Sequence, residues 1–205
     1  MLNENGFNEW ASAYDESVRE SAQEESYPFA GYGEVLETIF QAASAGPGKK
    51  LLDVGFGTAA LTHRFYSAGA EISGMDFSET MCEIAQRKMP KARLIQHDFS
   101  NGFPSVWKEE RFDCIVCTYA IHHLTPEKQI RFLHELLAHL SDSGVLLIGD
   151  VAFETAEERE NCRRSVGEAW DEEEWYPAAQ EWKTEFPHLL FRKISFCAGV
   201  FLLRP

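Results

Sequence analysis

Positive charge is scarce in this chain: 19 lysines and arginines stand against 33 aspartates and glutamates, a formal charge of −14. Affinity for nucleic acid comes mostly from Lys and Arg at phosphates, so the composition argues against a polynucleotide partner. Long apolar runs are missing too. None approaches the roughly 20 residues needed to cross a bilayer, which argues against a helical membrane span. Cysteine is limited to Cys82, Cys114, Cys117, Cys162 and Cys197, at irregular spacings. No secretory signal precedes them, so they read as free thiols in a reducing compartment, and the expected location is cytoplasmic. Repeats and low-complexity tracts are lacking as well. What remains, 205 residues with 44% hydrophobic and 25% charged, fits one globular domain.

The stretch Lys50-Leu51-Leu52-Asp53-Val54-Gly55-Phe56-Gly57-Thr58-Ala59 organises the rest. Leu51, Leu52 and Val54 suit a buried strand, and Gly55 lets the chain leave the sheet in a turn closed to residues with a Cβ. Gly57 offers bare backbone to a bound molecule, and Thr58 is read as the cap of a helix starting at Ala59. Dinucleotide, flavin and S-adenosylmethionine (AdoMet) sites all use such a turn.

Downstream the chain alternates. Strands are expected at 71–76, 93–98, 112–118 and 144–150, with helices between them, capped by Ser78 and opened by Thr125-Pro126. A long acidic helical region is expected from about Glu154 to Phe186. A terminal strand pair, 191–196 and 200–203, turns at Cys197-Ala198-Gly199. Alternation means right-handed crossovers and a parallel sheet covered on both faces, with ligands beyond the carboxyl ends of the strands.

Those ends carry Asp53, Asp76, Asp98, Thr118 to His123, and Asp150. A carboxylate can hold both hydroxyls of a ribose, and Asp76 follows Gly55 at about the 20-residue interval of a ribose acid. That interval also suits NAD. Asp53 would hinder a pyrophosphate but suits the ammonium of a methionine moiety, and Asp98 can accept from an adenine amino group. Both favour AdoMet.

The chain resembles the class I AdoMet-dependent methyltransferases, and within them the YrrT-like group. The likeness lies in Glu9 to Asp15, the Asp53–Gly57 loop, Met75-Asp76, His97-Asp98-Phe99, Thr118 to Thr125 and Asp150 to Phe153. The third glycine usual in the loop is Ala59 here. The resemblance implies an α/β Rossmann-like fold with a seven-stranded, mostly parallel sheet whose antiparallel last strand slots beside the fifth. It implies cofactor contacts from Gly55, Asp76 and Asp98, and the full expected set is Asp53, Gly55, Gly57, Asp76, Phe77, Asp98, Phe99 and Thr118. It also links the group to sulfur amino-acid metabolism. Residues 1–45 are expected to form a helical lid, with Phe7, Trp10, Ala11 and Tyr14 at helical spacing, and 46–205 the cofactor-binding domain.

The expected activity is methyl transfer from AdoMet to a small-molecule acceptor, leaving S-adenosylhomocysteine, by a monomer or homodimer. The alternatives are a non-catalytic binder of these two molecules and an NAD-dependent oxidoreductase. Methyl transfer needs a nucleophile within about 3–3.5 Å of the methyl carbon and, for a protic acceptor, a base. His122, His123 and Tyr14 are the catalytic candidates, with Tyr119 and Asp150 behind them. No metal set is expected. Cys114 and Cys117 spell C-x-x-C, but residues three apart on a strand point to opposite faces. Glu172-Glu173-Glu174 reads as a solvated helix face beside core tryptophans Trp170 and Trp175.

Overall fold

The computed structural model describes residues 26–44 and 49–205. The expected helix carrying Tyr14 lies outside these. Helix α1 (Tyr32–Ser44) leads into β1 (Lys50–Val54), α2 (Thr62–Ser67), β2 (Glu71–Asp76), α3 (Glu79–Lys88) and β3 (Arg93–Gln96). Then come β4 (Phe112–Thr118), α4 (Pro126–Ala138), β5 (Leu140–Val151), α5 (Ala156–Val166), α6 (Ala179–Glu185), β6 (Leu190–Lys193) and β7 (Ala198–Leu203).

Seven strands make one sheet in the order β3-β2-β1-β4-β5-β7-β6. β1 pairs in parallel with β2 and β4, β2 with β3 and β4 with β5, while β7 runs antiparallel between β5 and β6. The order reverses at β1 and β4. That reversal opens a crevice at their carboxyl ends, where the glycine loop emerges.

Alternating residues of the inner strands feed two cores. Leu51, Cys114, Val116 and Leu147 pack with Ile39 of α1, Phe65 of α2 and Ala85 of α3. Leu52, Ile115, Cys117 and Ile148 pack with Phe132, Leu133 and Leu136 of α4 and Trp182 of α6. Cys114 and Cys117 thus face different cores as free thiols, and burial pushes the Cys114 thiol up to about 12. A joint metal site between them is geometrically closed.

Four expectations about local structure are corrected. The first crossover helix begins at Thr62, with Leu61 rather than Thr58 at its cap and no side-chain cap bond. Gly55, Gly57 and Ala59 all take positive φ (73°, 53° and 64°), which keeps this segment a loop for longer than its alanines suggest. The third strand stops at Gln96, because Asp98 turns back to cap a 3-10 turn over Phe99–Asn101. The region from 154 to 186 is two helices and an extended segment. Gly167 breaks it with φ 56°, and Phe153 and Ala178 form a parallel bridge. Trp175 is accordingly exposed rather than core. Finally, the terminal turn precedes Ala198: the Ser195 hydroxyl oxygen accepts from the amides of Cys197 (3.2 Å) and Ala198 (3.0 Å). A serine side chain replaces the small-residue turn that composition suggests.

Candidate functional site

The carboxyl ends of β1, β2 and β4 enclose an open cleft of about 690 Å³. Seven of the eight expected cofactor residues line it: Asp53, Gly55, Gly57, Asp76, Phe77, Phe99 and Thr118. His123 forms part of the same wall. Asp98 is the exception. It is exposed, accepts from the amide of Ser100 (2.8 Å) and from the Asn101 side chain (3.3 Å), and stands next to Phe99 without lining the cleft.

Asp76 is buried and ties the loop to the sheet. One oxygen accepts from the Gly57 amide at 2.8 Å and the other from the Ser78 amide at 2.9 Å. Burial outweighs these bonds and raises its carboxyl to about 6. The Phe77 amide bonds to it as well, so three backbone donors occupy three of its about four acceptor positions and leave room for a further donor.

Asp53 is buried beneath the loop and accepts from the Thr62 hydroxyl with one oxygen. Its other oxygen, Oδ1, is buried with no hydrogen-bond partner among the described residues. Desolvation raises this carboxyl to about 7, Asp76 nearby adds to the rise, and the Thr62 bond opposes it. An unsatisfied buried carboxylate oxygen costs free energy until a donor arrives, and a cation supplies the most.

The glycines fit for two different reasons. A Cβ on Gly55 would lie 2.7 Å from the Ala120 Cβ, whereas one on Gly57 would meet nothing within 4 Å. Gly55 therefore keeps β1 and β4 in contact, and Gly57 leaves bare space for a ligand. Gly55→Ala combines that overlap with φ 73°. It is expected to cost about 2–4 kcal/mol of stability, read as a fall in denaturant midpoint.

The turn after β4 supplies the far wall. Its residues follow Tyr119, a non-glycine residue whose backbone is held at φ 50°, a strained conformation of the kind that functional sites retain. His122 is buried, and its Nδ1 lies 2.6 Å from Oδ1 of Asp150, which is fully buried at the end of β5. Burial lowers the His122 pKa, but Asp150 and then Glu174 outweigh it, and the net direction is upward. His123 is pushed down to about 2 by burial and by the neighbouring imidazole of His122, so it stays neutral.

Glu174 comes from the extended segment after α5. Its Oε1 stands 3.5 Å from Nε2 of His122 and 3.6 Å from Nδ1 of His123. The Tyr176 hydroxyl donates to its other oxygen at 2.5 Å, and the Tyr27 hydroxyl donates to Tyr176 at 2.7 Å. Gln129 of α4 locks this arrangement. Its side-chain amide donates to the carbonyls of Ile121 (3.3 Å), Leu124 (3.0 Å) and Trp175 (2.6 Å). The Trp175 amide in turn donates to the His122 carbonyl at 2.9 Å. Sequence reasoning treated Glu174 as solvated surface and missed Tyr32, Met81 and Ala120 as lining residues. Only the Glu174 triplet between two tryptophans was visible in advance.

Residues 51–144 match a family model described as a methyltransferase domain. The chain is 30% identical over 200 residues to an uncharacterized methyltransferase of Oceanobacillus iheyensis, covering 92% of this chain and 91% of that one. It is equally 30% identical over 197 residues to the uncharacterized methyltransferase YrrT of Halobacillus halophilus, covering 93% and 89%. The fold is similar to that of DhpI in its SAM-HEP complex, with TM-score 0.71 at 14% identity over 97% of this chain and 94% of that one. It is also similar to that of the magnesium protoporphyrin IX methyltransferase of Synechocystis with bound SAH, with TM-score 0.67 at 16% identity over 86% and 85%. The architecture is that of the class I methyltransferases, and the chain belongs to their YrrT-like group.

Proposed function

We propose that this protein transfers a methyl group from AdoMet to a small-molecule acceptor seated against the histidine turn. One observation carries the cofactor assignment: Asp53 Oδ1, buried without a partner among the described residues, at the floor of a glycine-walled cleft. An α-ammonium satisfies that oxygen, and a ribose diol satisfies Asp76. Phe77 and Phe99 then flank an adenine, with Asp98 accepting from its amino group. The neighbours crystallised with SAM or SAH support the same reading. When bound, AdoMet supplies an electrophilic methyl group on a sulfonium.

The chain's own residues do the rest. Asp53 and Asp76 orient the two ends of the cofactor, and Thr118 and His123 form the wall facing the acceptor. Among the three catalytic candidates, we take His122 as the proton acceptor, because Asp150 holds Nδ1 and leaves Nε2 on the side of Glu174, 3.5 Å away. Tyr14 lies outside the described residues. Tyr32, which lines the cleft from the start of α1, supports a covering role for residues 1–45.

Calorimetric titration with AdoMet tests the cofactor, and no heat of binding would reject the reading. A screen of thiols, amines and hydroxy compounds with labelled methyl donor tests turnover. Transfer of label to an acceptor rejects a purely binding role, and the sulfur compounds in the panel test the metabolic link. His122→Ala is expected to lower kcat by about 10²–10⁴-fold, the range of acid–base assistance, with AdoMet affinity unchanged. Full turnover in both His122→Ala and His123→Ala would remove the histidine turn from the chemistry.

A further inference from the structure

The described residues bring together one mixed set of nitrogen and oxygen donors at the edge of the cofactor cleft, which His123 lines. Nε2 of His122, Nδ1 of His123 and a carboxylate oxygen of Glu174 all lie within 4.8 Å of one another. The oxygen stands 3.5 Å from the first nitrogen and 3.6 Å from the second. A metal with bonds of about 2.0–2.1 Å to such donors separates tetrahedral neighbours by about 3.3–3.4 Å. Two edges of that triangle are therefore already close to the length a bound ion requires.

We propose that His122, His123 and Glu174 form a three-ligand site for a divalent transition metal of the zinc class, with a fourth position left for the acceptor's heteroatom. The inference rests on the reading that the histidine turn meets the acceptor. It gives Nε2 of His122 a metal to hold in place of the acceptor's proton.

The surrounding groups are those such a site uses. Metal-bound histidines usually give their other ring nitrogen to a carboxylate, and here Asp150 takes Nδ1 of His122 at 2.6 Å. The bond fixes the tautomer with Nε2 as the donor. Glu174 is fixed through its second oxygen by Tyr176, itself held by Tyr27. Two imidazoles and one carboxylate favour zinc, cobalt or nickel over magnesium or calcium, which demand more oxygen ligands. Charge balances as well: a divalent ion offsets the carboxylates of Glu174 and Asp150. Location adds a functional reason. His123 lines the cofactor cleft, and Glu174 lines a second open cavity, of about 1070 Å³, beside Trp170, Trp175 and Tyr176. The ion would sit where these two spaces approach each other.

The test uses tag-free, full-length protein stripped with chelator, without AdoMet. Titration with Co2+ is expected to give one equivalent with the strong visible d–d bands of a tetrahedral ion, and no thiolate charge-transfer band that would implicate the cysteines. Zn2+ in calorimetry should bind at one equivalent and displace the cobalt. Glu174→Gln is expected to weaken Zn2+ at least tenfold, and Asp150→Asn by about 10–100-fold, the range for partners behind a ligand. Because Glu174 is outside the cofactor wall, Glu174→Gln should keep wild-type AdoMet affinity, which also shows that the variant folds. Octahedral cobalt spectra, or Zn2+ binding unchanged by Glu174→Gln and His123→Ala, would overturn the site and leave an ion-pair chain. Failure of AdoMet to bind would overturn the methyltransferase reading instead, since the metal titration needs no cofactor.

Discussion

Asp76→Ala is expected to weaken AdoMet binding by about 100-fold or more in calorimetric titration. Two terms add. Hydrogen bonds to an ionised carboxylate contribute about 1.5–3 kcal/mol each, and a ribose diol would lose its acceptor. The Gly57 and Ser78 amides would lose theirs too, and the Gly57 bond is what draws the loop against β2. Asp76→Asn separates the terms. It keeps an acceptor oxygen but loses the charge and places an amide against an amide. An intermediate affinity is expected. Equal affinity in wild type and Asp76→Ala would mean that the ribose is held elsewhere and would sink the assignment of β2.

Asp53→Asn is expected to move stability and binding in opposite directions. In the folded, ligand-free protein the Asp53 carboxyl titrates near 7, raised chiefly by burial, against about 3.9 in an unfolded chain. A raised carboxyl means that the folded state holds a proton that the unfolded state has released. Stability is therefore full below about pH 4, falls as pH rises towards 7, and levels off above that. Asp76, at about 6, has the same sign over a narrower window. The melting temperature of the ligand-free wild type should thus rise as pH is lowered from 8 to 5. Asparagine cannot ionise, so Asp53→Asn should flatten this dependence and raise the pH 8 melting temperature by several degrees, on the order of 2 kcal/mol at about 2–4 °C each. The same change removes the charge that receives the ammonium, and AdoMet affinity should fall at least tenfold. Wild-type binding near pH 7 should also release protons, visible as a heat that varies with buffer. A pH-independent melting temperature in the wild type would contradict the buried, unsatisfied state of Asp53.

These two aspartates were the most legible part of the molecule. Asp53 sits in an apolar run that suits a buried strand, Asp76 ends the next strand, and the interval between them matches one βα crossover. Their positions at neighbouring strand ends follow once the sheet is parallel. The second wall was not legible for a physical reason. Glu174 is 51 residues beyond His123, and the approach of the two depends on how the chain returns after β5. A glycine at positive φ and the Phe153–Ala178 bridge set that return path. In sequence, three glutamates between tryptophans look like solvated helix, because composition carries no record of a break at Gly167. The end of the third strand, at Asp98, shows the opposite case. Its strand-end position was read correctly in spirit, but an aspartate followed by Phe-Ser-Asn prefers its own turn amides, and the strand ends two residues earlier.

The bonds of Gln129 have a consequence for how acceptor choice can change. One amide group spans the histidine turn and the segment bearing Glu174, and the Trp175 amide closes the loop back to His122. The two sides of the acceptor wall are thus laced into one piece, although they are distant in sequence. Relatives that retain this glutamine should diverge in acceptor by exchanging side chains on a fixed frame. Where it is lost, turn and segment are released from each other, and specificity has to be rebuilt by relocating whole stretches of chain.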